Sequence, residues 1–202
     1  MSDNNVIPIS DEQAKLGQEV LKTGRELGSV LSDIFGDLPK DLVGLLAGDR
    51  VKAWRAKRIV DYWADVKKHM KDRGLPNPEP LSLKLAIPIL ESVADENREE
   101  LRDLWARLTA AAMDPNRRDL VRQSLVAMVR QMDPTDVIVF RSIAETRQGA
   151  FLIDQVRSKL KISQDEITVS LDNLIALNCV HIGPSGTPVL KPLGTLLMRA
   201  VT

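Results

Sequence analysis

Cysteine, tyrosine and histidine are nearly missing from this chain. It has one Cys, one Tyr and two His in 202 residues, and aromatics of all kinds make up 3%. A single cysteine, Cys179, excludes an internal disulfide and suits a reducing cytoplasm. Net charge is also absent: 28 Lys and Arg balance 28 Asp and Glu, so the molecule as a whole has no bias toward nucleic acid or anionic lipid. Long apolar runs are lacking too. The longest nearly charge-free one is LVGLLAG at 42–48, far short of the ~20 residues a membrane-crossing helix needs. The opening MSDNNVIPISDEQ has no apolar core, and no secretory signal is expected from it.

The catalytic inventory is equally thin. His69 lies in a basic stretch, and Cys179 and His181 stand two apart, on one face if that segment is a strand. A nucleophile pair or metal site needs further partners, so a core cysteine beside an exposed histidine is the plainer reading. No glycine-rich phosphate loop follows a strand, and no Cys/His set has metal spacing. Glu99, Glu100 and Asp103 share a helix with several arginines, where solvated ion pairs are the ordinary expectation. No cofactor is expected, and a non-enzymatic role follows.

What the chain does have is helical periodicity. From Asp11, apolar residues recur at three- and four-residue steps through Leu16, Val20, Leu27, Leu31, Ile34, Phe35 and Leu38. Pro39 interrupts, and a short helix is expected over 40–47. A third follows, with Val51, Trp54, Ile59, Tyr62, Trp63, Val66 and Met70 as its stripe. RGLPNPEP at 73–80 is the clearest break. Beyond it, helices are expected over LSLKLAIPILESVADE (kinked at Pro88), NREELRDLWARLTAAAMDP and NRRDLVRQSLVAMVRQMDP. The last third reads as three helices, the third opened by a Ser163–Glu166 capping box, then a hairpin CVHI–GPSG–TPVL and a closing helix. That is the winged-helix order. The expected organisation is a flexible tail (1–10), a glycine-rich amphipathic and basic helical region (11–75), a helical body (81–133) and a winged-helix-like domain (134–202). The fold class is mainly α, and 81–202 is expected to fold without the first 75 residues.

As a DNA reader the winged helix is poorly equipped. Its candidate recognition helix, 163–178, carries Asp165, Glu166 and Asp172 and no basic residue, so it would repel phosphates. The wing tip GPSGTP is uncharged. Only Arg157, Lys159 and Lys161 are basic nearby. A protein-interaction role is favoured over DNA.

The segments GDRVKAWRAKRIVDYWADVKKHMKDRGL, PLSLKLAIPILESVADENREELRDLWARLTAAAMDP, LVRQSLVAMVRQMDPTDVIVFRSI, LDNLIALNCV and LKPLG together resemble the Abi-alpha family, bacterial proteins of abortive infection. The resemblance spans about residues 15–200, and its most specific pieces are LRDLWARLTAAAMDP and MDPTD. It implies a role in phage defence in which infected cells are halted or killed. It brings no catalytic residues.

Glycine is placed unusually. Six of eleven lie in the first quarter, and Gly24, Gly28, Ser32 and Gly36 fall four apart, with Gly44 and Gly48 repeating the step. Each costs a helix interior about 1 kcal/mol relative to alanine. Small residues four apart let a second backbone approach closely, so these six are candidates for helix packing or membrane assembly. Between Arg50 and Arg73, nine Lys/Arg face three Asp. Arg50, Lys52, Trp54, Arg55, Lys57 and Arg58 are therefore candidates for contact with a membrane surface or other anion, and Trp54, Tyr62 and Trp63 suit an interface. Two readings stand. In one, the glycines let this segment pack on the helical body. In the other, 11–48 is a releasable segment of a cytoplasmic protein that settles on the inner membrane, and several copies assemble there. The first makes the chain a soluble interaction or regulatory module working through its winged helix, the second an antiphage effector acting on membranes. The expected partners are accordingly a membrane surface, further copies of the chain or another protein.

Overall fold

The computed structural model describes residues 11–36, 50–75, 77–145 and 162–202. In chain order they form α1 (Asp11–Phe35), α2 (Arg50–Asp72), α3 (Leu83–Asp95), α4 (Glu99–Ala112), a 3-10 turn (Arg118–Leu120), α5 (Gln123–Val129), α6 (Pro134–Glu145), α7 (Gln164–Ala176), β1 (Val180–Ile182), β2 (Pro188–Leu190) and α8 (Pro192–Val201). The fold is mainly α with one small antiparallel hairpin, in register Val180 with Leu190 and Ile182 with Pro188.

The centre is α4. Leu101, Leu104, Trp105 and Leu108 fill its apolar stripe, and Ala106, Ala110, Ala111 and Ala112 are buried as well. Because an alanine face adds little bulk, neighbours can close on this helix from several sides at interior packing density. Helices α2, α3, α6 and α8 all lie against it. From α2 come Ile59, Tyr62, Trp63, Val66 and Met70, all buried. The Tyr62 hydroxyl sits on the Trp105 carbonyl and the Thr109 hydroxyl, which gives a buried polar group its partners.

The proline-rich break is a crossing point over a continuous core. Gly74, at φ +63, ends α2, with Leu75 N–H returning to the Met70 carbonyl as in a Schellman turn. The Glu79 N–H then donates to Met113 O and the Leu81 N–H to Ile34 O, each at 2.8 Å. The connection is thus pinned to the ends of α4 and α1, and one hydrophobic cluster runs from Leu27 to Val201.

One local expectation changes. Residues 116–133 are divided: extended Val121 and Arg122 separate the 3-10 turn from α5, and this turns the Val121 side chain into the core. Helix α3 runs through Pro88, with Ser92 Oγ donating to the Pro88 carbonyl at 2.7 Å. The capping box at Ser163 is present in both directions, and the hairpin lies where the turn residues place it. The helix expected over 151–160 and that over 40–47 lie outside the described residues, as do the 1–10 tail, Gly44 and Gly48.

Candidate functional site

The N-terminal layer carries the surface singled out by sequence. Helix α1 lays Leu27, Val30, Leu31 and Ile34 onto α2 and buries all four. Asp33 fastens the pair, accepting from Trp63 Nε1 at 3.0 Å and facing Lys67 Nζ at 3.1 Å. The glycines sit away from this seam. A methyl built on Gly24 or Gly28 would meet nothing within 4 Å among the described residues, so neither brings α1 closer to the described body. Ser32 is exposed beside them. Gly36 has a different job. At φ +73 it ends α1, its N–H on the Ser32 carbonyl, and a methyl built on it would fall 3.2 Å from the Pro80 ring; it serves as a helix cap.

The basic start of α2 is partly spent within the chain. Arg55 grips Asp95 through Nε and Nη2 at 2.7 and 2.8 Å. Arg58 donates to the Glu96 carbonyl at 2.8 Å and lays its guanidinium 4.0 Å from the Trp54 ring centre, a cation–π contact. Its Nε is enclosed with no partner. Trp54 remains 48% exposed, whereas Tyr62 and Trp63 are core residues; of the three aromatics assigned to an interface, the structure leaves only Trp54 at the surface. Lys57 and Lys68 are exposed and carry no ion pair among the described residues. The side chains of Arg50 and Lys52 lie outside the described residues.

Behind this face runs a polar seam between α2 and α4. A cleft of about 290 Å³ spans Trp54, Lys57, Arg58, Asn97 and Arg102, and a second of about 500 Å³ adjoins it at Asn97 and Arg102. Asp103, expected to be a solvated surface carboxylate, is the hub of the second. It accepts from His69 Nε2 at 2.9 Å, Arg107 Nε at 2.8 Å and Arg141 Nη2 at 2.6 Å. Burial alone would raise its carboxyl, but the hydrogen bonds and charges of Arg107 and Arg141 bring it below the ordinary carboxylate range. Arg102 meets Asp65 at 2.6 Å, tying α4 to α2 a second time. Asp65 and Asp103 each hold a cation across or along the seam, so these contacts read as bracing.

The C-terminal third is braced similarly. In MDPTD, Pro134 is the first residue of α6, and Asp136 Oδ2 accepts the Asp133 N–H at 2.8 Å and Asn173 Nδ2 of α7 at 2.6 Å. One buried carboxylate thus caps α6 and holds α7. The end of α8 is closed by Arg73 on Ala200 O and Arg117 on Arg199 O, at 3.2 and 3.3 Å, cations placed where a helix C-terminus is negative. Cys179 is fully buried, its thiol donating to Leu174 O at 3.1 Å and pushed up to about 12 by burial; it stays a protonated core group while His181 faces solvent.

Residues 55–193 match the family model of abortive infection alpha. The protein is mainly helical, and the chain belongs to the abortive infection alpha family, whose name suggests a role in abortive infection defence. The matched span takes in most of the α2–α4 seam, MDPTD, the hairpin and the first four residues of LKPLG. It begins at Arg55, so the glycine-rich α1, which the sequence reading had included in the resemblance, lies outside it. No curated protein and no solved structure matches. Among the described residues no helix is long and apolar enough to cross a membrane.

Proposed function

We propose that this protein is an antiphage effector that works without catalysis, by placing α1 and the start of α2 on the inner face of the membrane. The observation that carries this reading is the unused small-residue face of α1. Gly24 and Gly28 cost helicity and give no packing among the described residues, and a contact with another helix or copy would use their spacing. Helix α1 is also an edge element, attached through one apolar seam to α2 and a smaller contact to α3. Lifting it would free Leu27, Val30, Leu31 and Ile34 for a lipid interface while the α4-centred body keeps its other neighbours. Exposed Trp54 and unpaired Lys57 sit on the adjoining helix, where an indole and an ammonium favour an anionic surface.

Dye leakage from vesicles of phosphatidylethanolamine and phosphatidylglycerol tests the reading. Asp33→Ala removes the link from α1 to Trp63 and Lys67 and should increase leakage. Trp54→Ser with Lys57→Glu should reduce it while the melting temperature holds. If wild type and Asp33→Ala both leave such vesicles intact, the membrane reading is wrong.

A further inference from the structure

We infer that the cleft between the start of α5 and the start of α8 is a docking site for a peptide segment in which a carboxylate neighbours an aliphatic side chain. The cleft, about 550 Å³, is lined by Arg122, Ser124, Asn178, Lys191, Pro192, Leu193 and Leu196. That volume lies within the range of ligand sites, but the opening is wide, as a peptide requires.

Its charge distinguishes it. The clefts of the α2–α4 seam, and the one beside Glu91 and Arg98, are each lined by carboxylates as well as cations. This one has two cations and no carboxylate among its described lining residues. Arg122 is exposed and has no ion pair among the described residues. Lys191 has only the Asn178 amide oxygen, at 2.7 Å. Beneath them Leu193 and Leu196 lie half-buried against the core and offer their outer faces. Two unanswered cations over an aliphatic floor call for an anion that is itself partly apolar.

The lining also excludes other occupants. No aromatic ring is present on which a base could stack, and two cations are few for duplex binding. The cleft is shallow where an acyl chain would need depth. It is also pre-set, which lowers the cost of binding. Lys191 N–H donates to Cys179 O at 2.9 Å. Asn178 holds a left-handed turn at φ +60, and Gly194 presses α8 onto the Cys179 carbonyl. The site uses LKPLG and the end of LDNLIALNCV, motifs for which bracing gives no complete account, and it does not depend on α1 or on the membrane reading.

A random peptide library displayed on phage and panned against the full chain tests this. Enriched peptides should pair Asp or Glu with Leu, Ile or Val, and by fluorescence anisotropy should bind Arg122→Glu with Lys191→Glu at least about tenfold more weakly. Arg122→Glu alone, at an exposed side chain, should show the same direction if the double variant melts early. Lack of enrichment, or enriched peptides that bind both forms equally, would overturn the proposal. So would a charge-reversed chain that loses binding to phosphatidylglycerol vesicles and keeps its peptides, since the cleft would then be a lipid site.

Discussion

Gly28 and Gly194 sit at opposite edges of the molecule and do opposite things. At Gly28 the missing side chain leaves open space, with nothing within 4 Å of an added methyl. At Gly194 the same addition would fall 2.3 Å from the Cys179 carbonyl oxygen and 3.2 Å from Phe140. The N-terminal edge is a helix laid on the body by one apolar seam. The C-terminal edge is a hairpin and helix keyed into it by backbone contact. A glycine in a helix therefore tells little until its surroundings are known: at one position a side chain would meet no described atom, at the other only glycine fits.

The largest test of this contrast is deletion. Removing residues 1–80 strips Ile59, Tyr62, Trp63, Val66 and Met70 from α4 and leaves Thr109 without its tyrosine. We expect the remaining 81–202 to lose cooperative thermal unfolding by circular dichroism. A sharp, native-like melt would restore the independent domain that the break at 73–80 suggests. Deleting only residues 1–36 should be far milder, because α1 is the outer layer.

Next in size is Gly194→Ala. The methyl meets backbone, which cannot swing aside, so α8 must shift; overpacking of this kind typically costs about 1–3 kcal/mol. A lower denaturant midpoint with unchanged slope is the expected result, and an unchanged midpoint would mean that α8 is loosely seated.

How much of this was legible beforehand follows from the same contrast. Helix spans came from the apolar period, and the hairpin and the Ser163 cap from local turn chemistry, because both depend on neighbours a few residues apart. The Asp103 cluster was not legible. Its partners His69, Arg107 and Arg141 come from three helices, and on its own helix Asp103 looks like any carboxylate among arginines. Likewise Tyr62 and Trp63 look the same in sequence as exposed Trp54; only their places on α2 decide between core and surface. The division of 116–133 was not legible either, because only the extended backbone of Val121 and Arg122 separates the two halves.

Asp103 provides the next test. Its folded carboxyl is held below the ordinary value, so the folded state takes up that proton less readily than the unfolded one. The resulting stability is fully present at neutral pH, begins to decline as pH falls through the unfolded carboxyl value near about 4, and is lost below the folded value. Asp103→Asn should cost about 1–3 kcal/mol at pH 7, since Arg107 and Arg141 lose a charged partner. The gap between variant and wild type should close in acid. A gap that stayed constant with pH would assign the cost to packing.

The smallest expected effect is the most informative about function. Gly24→Ala with Gly28→Ala should raise stability by up to about 1 kcal/mol per site, through helix propensity alone, because the added methyls meet open space. If the small-residue face exists only as tolerated backbone, the stabilised protein should protect cells from phage, and leak vesicles, as well as wild type does. If a second α1 rides in that groove, two methyls hold the helices apart, and assembly should weaken while the monomer melts higher. A rise in stability with a loss of leakage cannot come from misfolding, which would move both downward. The paired measurement therefore separates a surface kept for contact from one that is merely permitted. A double variant that is more stable and fully active would end the assembly role of these glycines and leave α1 as an ordinary amphipathic edge.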